Sequence, residues 1–207
     1  MSSLFERLQN HSEPSILITG NSDYSITNDI LQKKPKCIKK WFAQNAETDS
    51  DIVTGIPLGI ENHEQCAIEG HGLGWEHAKE KVTLLSKQYM QPPIKNIYAN
   101  FSSIDPSRRM VYEICQSQDT ITKSVSPNHN EINKRSYKQY VDDILEHRMV
   151  VCPRGNGIDC HRVWEVLYLD RVPIIKREKA MNYFEALPII YLDSWEELGN
   201  SDLIAKK

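Results

Sequence analysis

The chain has no long apolar run. Met1 to Pro14 carries Glu6, Arg7, His11 and Glu13 and lacks the apolar core of a secretory leader, and no later stretch approaches the length of a membrane span. A cytoplasmic location is therefore expected, and the sequons at Asn10 and Asn100 carry no weight. A basic excess is also missing: 25 Lys and Arg face 28 Asp and Glu, for a formal charge of −3. Backbone binding to nucleic acid needs a positive surplus, so nucleic acid is excluded as the main partner and any positive potential must be local. No C-x-x-C pair occurs. Cys37, Cys66, Cys115, Cys152 and Cys160 are scattered and odd in number, which argues against a zinc ribbon or a disulfide framework and for reduced, mostly buried thiols. The G-x-x-x-x-G-K-[ST] loop of nucleotide triphosphatases is absent, as is a G-x-G-x-x-G fingerprint after an early strand. Internal repeats and low-complexity segments are absent too.

What is present is alternation. Short apolar runs exchange with helical patterns almost throughout, which predicts an α/β fold with a largely parallel sheet. Ser15–Thr19 reads as a buried strand, followed by strands over Ile38–Ala43 and Asp51–Pro57, a polar loop HGLGWEH, and a helix from His77 to Tyr89. Gln91-Pro-Pro is the best domain boundary, because two successive prolines fit neither a helix nor a central strand. This divides the chain into 1–91 and 92–207. Beyond the boundary the pattern predicts strands at Asn96–Phe101, Met149–Cys152, Val172–Lys176 and Pro188–Leu192. Helices are expected over Pro106–Gln116, Ser136–His147, Cys160–Leu169 and Ser194–Leu198. Tyr137, Tyr140, Val141, Ile144 and Leu145 share one stripe of the second of these.

Val150 to Lys176 (VVCPRGNGIDCHRVWEVLYLDRVPIIK) concentrates the chemistry. An apolar strand enters a glycine turn, and a helix then opens on His161-Arg162. Glycine lets backbone approach a ligand closely, and a helix N-terminus offers unpaired N–H donors, a combination that suits phosphate. Arg154 and Arg162 can fork onto phosphate oxygens, and Glu165, one helical turn after Arg162, suits ribose hydroxyls.

The order Pro-Arg-Gly, Asp-x-His-Arg-x-Trp-Glu and Val-Pro-Ile-Ile resembles the nucleotide-sugar-binding half of exostosin-like glycosyltransferases, in a compact bacterial or viral form. The resemblance covers about thirty residues well. ILITGNSDY, WFAQN and IPLGIEN are similar to short acceptor-side strands of related sequences. It implies a GT-B-like fold, with two Rossmann-like halves facing across a cleft and a small N-terminal half. It also implies transfer of a sugar from a UDP- or GDP-type donor, serving as co-substrate, to a glycan or lipid-linked acceptor, with inversion and with no metal or other cofactor. Enzymes of this type continue beyond their last strand into helices that cross back to the first domain. Here that crossover is expected to be short or absent, which keeps open a noncatalytic nucleotide-sugar or glycan-binding module in a larger assembly.

Under this resemblance Arg154, Gly155, Asn156, Gly157, His161 and Arg162 form a diphosphate clamp and Glu165 binds the nucleoside. The plainer readings are a surface arginine paired with Asp159 or Glu165, and a solvated helix glutamate. Trp164 fits core packing. Arg108 and, less so, Arg109 open a helix after a strand, where phosphate can also be met. Asp23 is the preferred catalytic base among Asp23, Glu61, His63 and Glu69, because GNSDY follows a strand directly; the alternative is that Asn21, Ser22 and Asp23 cap the next helix. His71 and His77 lack the spacing of a helical ligand pair. Lys33, Lys34, Lys36, Lys39 and Lys40 read as a solvated surface, or as a peripheral contact with anionic lipid or an acidic glycan.

Overall fold

Strands separated by helical segments cannot return through tight hairpins, so they pair in parallel through crossovers. The computed structural model describes residues 2–60, 78–87, 89, 91–103, 105–125 and 136–200, and every strand pairing among them is parallel. By its internal contacts the chain parts into two units. The first comprises Met1–Leu58, Asn156–Asp159 and Glu178–Ala186; the second comprises Gly59–Gly155, Cys160–Arg177 and Leu187–Lys207. The main division thus lies at Leu58–Gly59, ahead of the Gln91–Pro93 boundary expected from sequence.

The first unit contains α1 (Ser2–Leu8), β1 (Ser15–Thr19), β2 (Ile26–Thr27), α2 (Asn28–Gln32), β3 (Ile38–Ala43), β4 (Ala46–Glu47), β5 (Val53–Gly55) and a 3-10 turn at Lys179–Phe184. Its main sheet has the order β1-β3-β5, and β2 pairs with β4. Phe5, Ile26, Ile38, Trp41, Ala43, Ala46 and Val53 form the core. The Phe5 and Trp41 rings meet edge to face at 5.7 Å, and Trp41 Nε1 donates to Thr19 Oγ1 at 2.9 Å. A buried ring thereby ties β3 to the carboxyl end of β1. Strand β1 is not the buried strand that its apolar run predicts. It lies at the sheet edge, and Ile16 and Ile18, on the same side by strand alternation, are 67% and 68% exposed. An apolar run alone does not distinguish a central strand from an edge.

The second unit contains α3 (Ala78–Leu85), β6 (Lys95–Ala99), α4 (Pro106–Ser117), β7 (Ile121–Lys123), α5 (Tyr137–Glu146), β8 (His147–Val151), α6 (His161–Tyr168), β9 (Val172–Lys176), β10 (Ile190–Leu192) and a closing 3-10 turn at Trp195–Gly199. The sheet order is β10-β9-β8-β6-β7. Both faces are covered, as parallel sheets require. Ile97, Ala99, Met149, Val151 and Ile174 pack on Val111 and Cys115 of α4 and on Trp195 and Leu198. Tyr98, between Ile97 and Ala99, points the other way and donates to Asp143 Oδ2 of α5 at 2.8 Å.

Local rules explain the helix starts. Asp105 accepts from Ser107 N at 2.8 Å with Pro106 in the first turn of α4, and Ser136 with Gln139 closes a full capping box on α5. The expected stripe is borne out in Tyr137, Val141, Ile144 and Leu145, all buried. Arg171, which carries no sequence signal, is buried and donates to the carbonyls of Leu145, Leu169, Asp170 and Gln91. A cation at the ends of α5 and α6 satisfies carbonyls that the helices leave open. The same side chain fastens Gln91 to the second unit.

His147 is 1% exposed and stacks on Tyr98 at 4.9 Å. Its Nδ1 lies 2.6 Å from Asp143 O, a carbonyl that can only accept, so the proton sits on Nδ1. Nε2 is buried without a hydrogen-bond partner among the described residues. A second proton there would find no acceptor, and burial, with Lys95 nearby, pushes the pKa down to about 4. Unfolded histidine binds its proton near pH 6.5. Stability is therefore fully present above that value and falls as the pH drops from about 6.5 towards about 4, because the unfolded chain takes up a proton that the fold refuses. Thermal unfolding of the native protein and His147→Phe, compared at pH 7 and pH 5, is expected to show a smaller midpoint loss on acidification in the variant.

Candidate functional site

In open parallel sheets, ligands bind beyond the carboxyl ends of the strands, at the point where strand order reverses. From β6 the chain of the second unit moves outward to β7, then returns to β8 on the other side of β6. The reversal lies between β6 and β8. Arg108 stands in the first turn of the helix after β6, and Arg154 lies three residues beyond the end of β8.

Arg108 Nε donates to Arg154 O at 2.7 Å. Burial lowers its pKa and the like charge of Arg162 lowers it further, against the pull of Cys160 and Asp105. The two arginines, from different helices, are therefore close enough to feel each other. Arg109 behaves differently: its side chain is 78% exposed and pairs with Glu113 at 3.3 Å, so it stays outside this group.

Helix α6 is preceded by Cys160, which makes no side-chain cap, unlike Asp105 before α4 and Ser136 before α5, and Val163 N donates to Cys160 O at 3.1 Å. His161 Nδ1 donates to Gly59 O at 2.7 Å. Gly59 has φ +69, a left-handed conformation that glycine adopts freely. Arg162 Nε is buried with no hydrogen-bond partner among the described residues. Burial opposes its charge, but Tyr140, Cys160, Cys152 and Glu165 outweigh that and hold the guanidinium above its ordinary pKa. A buried cationic donor without an acceptor is the arrangement that an anionic ligand completes.

Glu165 is 4% exposed and is no solvated helix glutamate. Its Oε1 meets Lys81 Nζ at 3.1 Å and its Oε2 accepts from Tyr140 at 2.9 Å. Burial alone raises its pKa, yet Lys81, Arg162 and Tyr140 bring the net shift below the ordinary value. Lys81 also lies over the Tyr137 ring at 5.1 Å. Each carboxylate oxygen keeps a lone pair after these contacts. Lys81 and Tyr140 were not marked by the sequence as site residues, although Tyr140 lies on the apolar stripe of α5 and a buried tyrosine hydroxyl needs a partner. Trp164 is buried, as its place in the helix predicts.

The remaining expected residues belong to the first unit. Asp23 is exposed in the loop after β1. It does not cap the next helix: α2 is preceded by Thr27 and has no side-chain cap. Asn45 secures this region, donating to Ser22 O at 3.0 Å and accepting from Asp159 N at 2.8 Å, while Asp159 Oδ2 accepts from Leu58 N at 2.6 Å. Asn156 is exposed, whereas Gly157 is buried. A Cβ on Gly157 would lie 3.1 Å from Asn45 Nδ2 and Asp23 Oδ1, and 3.2 Å from Asp23 Cα. The close approach that glycine permits here is to protein, not to open space. Gly157→Ala is expected to cost about 1–3 kcal/mol through forced displacement of the Asp23 backbone, seen as a drop of several degrees in the unfolding midpoint.

Lys34 and Lys40 of the basic cluster spend their ammonium groups on the Ile38 and Asp51 carbonyls, leaving Lys33, Lys36 and Lys39 exposed. Glu61, His63, Cys66, Glu69, His71 and His77 lie outside the described residues. Among the described residues no group of three His, Cys, Asp or Glu side chains gathers as a metal site, and no helix is long and apolar enough to cross a membrane.

A search among curated proteins found no match. Residues 75–206 match the family model described as RXYLT1 C-terminal domain. That span covers more than half of the chain and includes the strand-order reversal, Arg108, Arg154 and the whole of α6. The chain belongs to the RXYLT1 C-terminal domain family, an exostosin-related group of glycosyltransferase domains.

Proposed function

We propose that the protein transfers a sugar from a nucleotide-diphosphate donor, of UDP or GDP type, to a glycan or lipid-linked acceptor, with inversion and without a resident metal. In this reading the second unit is the donor half and the first unit the acceptor half of a GT-B-type enzyme. Family membership supports the reaction class. The observation that carries the donor assignment is Arg162: its Nε, buried and without a hydrogen-bond partner among the described residues, stands in the first turn of α6, and its charge lowers the pKa of Arg108. Holding like charges together is unfavourable unless a counter-charge arrives, and a diphosphate supplies one.

The acceptor hydroxyl attacks the anomeric carbon, and the bond from that carbon to the β-phosphate oxygen breaks. The electron pair leaves with the diphosphate, whose growing charge Arg108, Arg154 and Arg162 offset, helped by the backbone N–H groups of Gly155 and His161. The hydroxyl proton passes to Asp23, an exposed carboxylate with no capping duty. Glu165, fixed by Lys81 and Tyr140, uses its remaining lone pairs on the ribose hydroxyls.

Thermal shift with UDP, GDP, CMP and their common sugar conjugates tests the reading. Ligand at about a hundred times its dissociation constant stabilises a fold by roughly 2.7 kcal/mol. A midpoint shift with one nucleotide, absent in Arg162→Ala and Arg108→Ala, is the expected result. No shift with any of them would exclude the donor site. Binding without turnover on any acceptor, unchanged in Asp23→Ala, would instead identify a noncatalytic nucleotide-sugar module.

A further inference from the structure

The first unit has a cavity of its own at the carboxyl ends of its parallel strands. Thr19 and Gly20 follow through from β1, Gln44 from β3, and Ser22, Tyr24, Ile26 and Ile30 complete the lining around about 420 Å³. The lining contains no ionisable carboxylate, ammonium or guanidinium. This separates it from a second cavity of about 450 Å³ in the same unit, which Lys40, Asp49, Asp51 and Lys179 border. A neutral lining does not recompense a phosphate or carboxylate for lost water. It suits an uncharged ligand that has both apolar and hydroxyl faces.

Two side chains give that lining specificity. Gln44 is 4% exposed, and its Oε1 accepts from Ser22 N at 3.3 Å, which fixes the amide orientation. With its oxygen held, the amide offers the two N–H donors of Nε2 to whatever occupies the cavity that Gln44 lines. Tyr24 is 82% exposed, an unusual position for a large aromatic ring, with Ile26 and Ile30 as apolar neighbours in the cavity wall. An aromatic face with a few fixed hydrogen-bonding groups accommodates the C–H face and hydroxyls of a pyranose ring. Asp23 lies in sequence between Ser22 and Tyr24, two residues of this lining.

We infer that this cavity is a subsite for an uncharged sugar residue of the acceptor glycan, with Tyr24 as its stacking platform and Gln44 as its hydroxyl-directing donor. The inference rests on the transferase reading for the word acceptor, while sugar binding itself stands apart from it. The test is saturation-transfer NMR on the full chain with neutral methyl hexopyranosides and pentopyranosides as probes, using the native protein, Tyr24→Ala and Gln44→Leu, with Tyr183→Ala at the other cavity as control. The expected result is transfer to ring protons of at least one glycoside, weakened about tenfold or more by Tyr24→Ala and by Gln44→Leu and unchanged by Tyr183→Ala. Because Tyr24 is exposed, its variant should keep the native unfolding midpoint and the nucleotide shift. No transfer to any glycoside, transfer that survives Tyr24→Ala, or transfer lost only in Tyr183→Ala would overturn the inference. A nucleotide shift without sugar transfer would sink the subsite and leave the donor reading standing. Sugar transfer without a nucleotide shift would do the reverse.

Discussion

The return of the chain from β7 across β6 to β8 is the constraint around which the candidate donor site is built. Two neighbouring parallel strands at such a reversal send their following segments apart, and the space opened at their carboxyl ends is reached by the side chains of both. Arg108 arrives from one direction and Arg154 and Arg162 from the other. Neither segment alone would make an anion site. The first supplies one cation on a helix already capped by Asp105; the second supplies two cations and an uncapped helix start.

Charge is distributed unevenly around this point. Glu165, a buried carboxylate of α6, is already engaged by Lys81 and Tyr140. Its ion pair holds α3, α5 and α6 together in the low-dielectric interior, where removing one partner is more damaging than the pair is stabilising. Arg108, Arg154 and Arg162 concentrate cationic groups at this point although the chain as a whole carries −3. A protein with an acidic balance can still present a strong local anion site, because pairing within the interior is selective and burial strengthens the field of whatever remains.

The first unit shows the same economy with neutral groups. Asn45 joins the loop before Tyr24 to the Asn156–Asp159 segment with both ends of one amide, and Gly157 gives up its side chain so that Asp23 can lie against it. The turn reads as a phosphate cradle, and at Gly157 its missing Cβ also serves packing. Both uses need a missing Cβ, and local sequence does not tell one from the other.

The alternation of parallel strands and helices, the limits of β3 and β9, the apolar stripe of α5, and the concentration of cationic chemistry between Val150 and Glu165 were legible in the sequence. These depend on the period of hydrophobicity and on contacts a few residues apart, which a chain encodes locally. The edge position of β1, the attachment of Gln91 through Arg171, the proximity of Arg108 to Arg162, and the pairing of Glu165 with Lys81 were decided only by tertiary structure. Each brings together residues tens of positions apart, or turns on which neighbour a strand receives. Such partners are selected by burial and charge satisfaction over the whole packed unit, and no local spacing announces them.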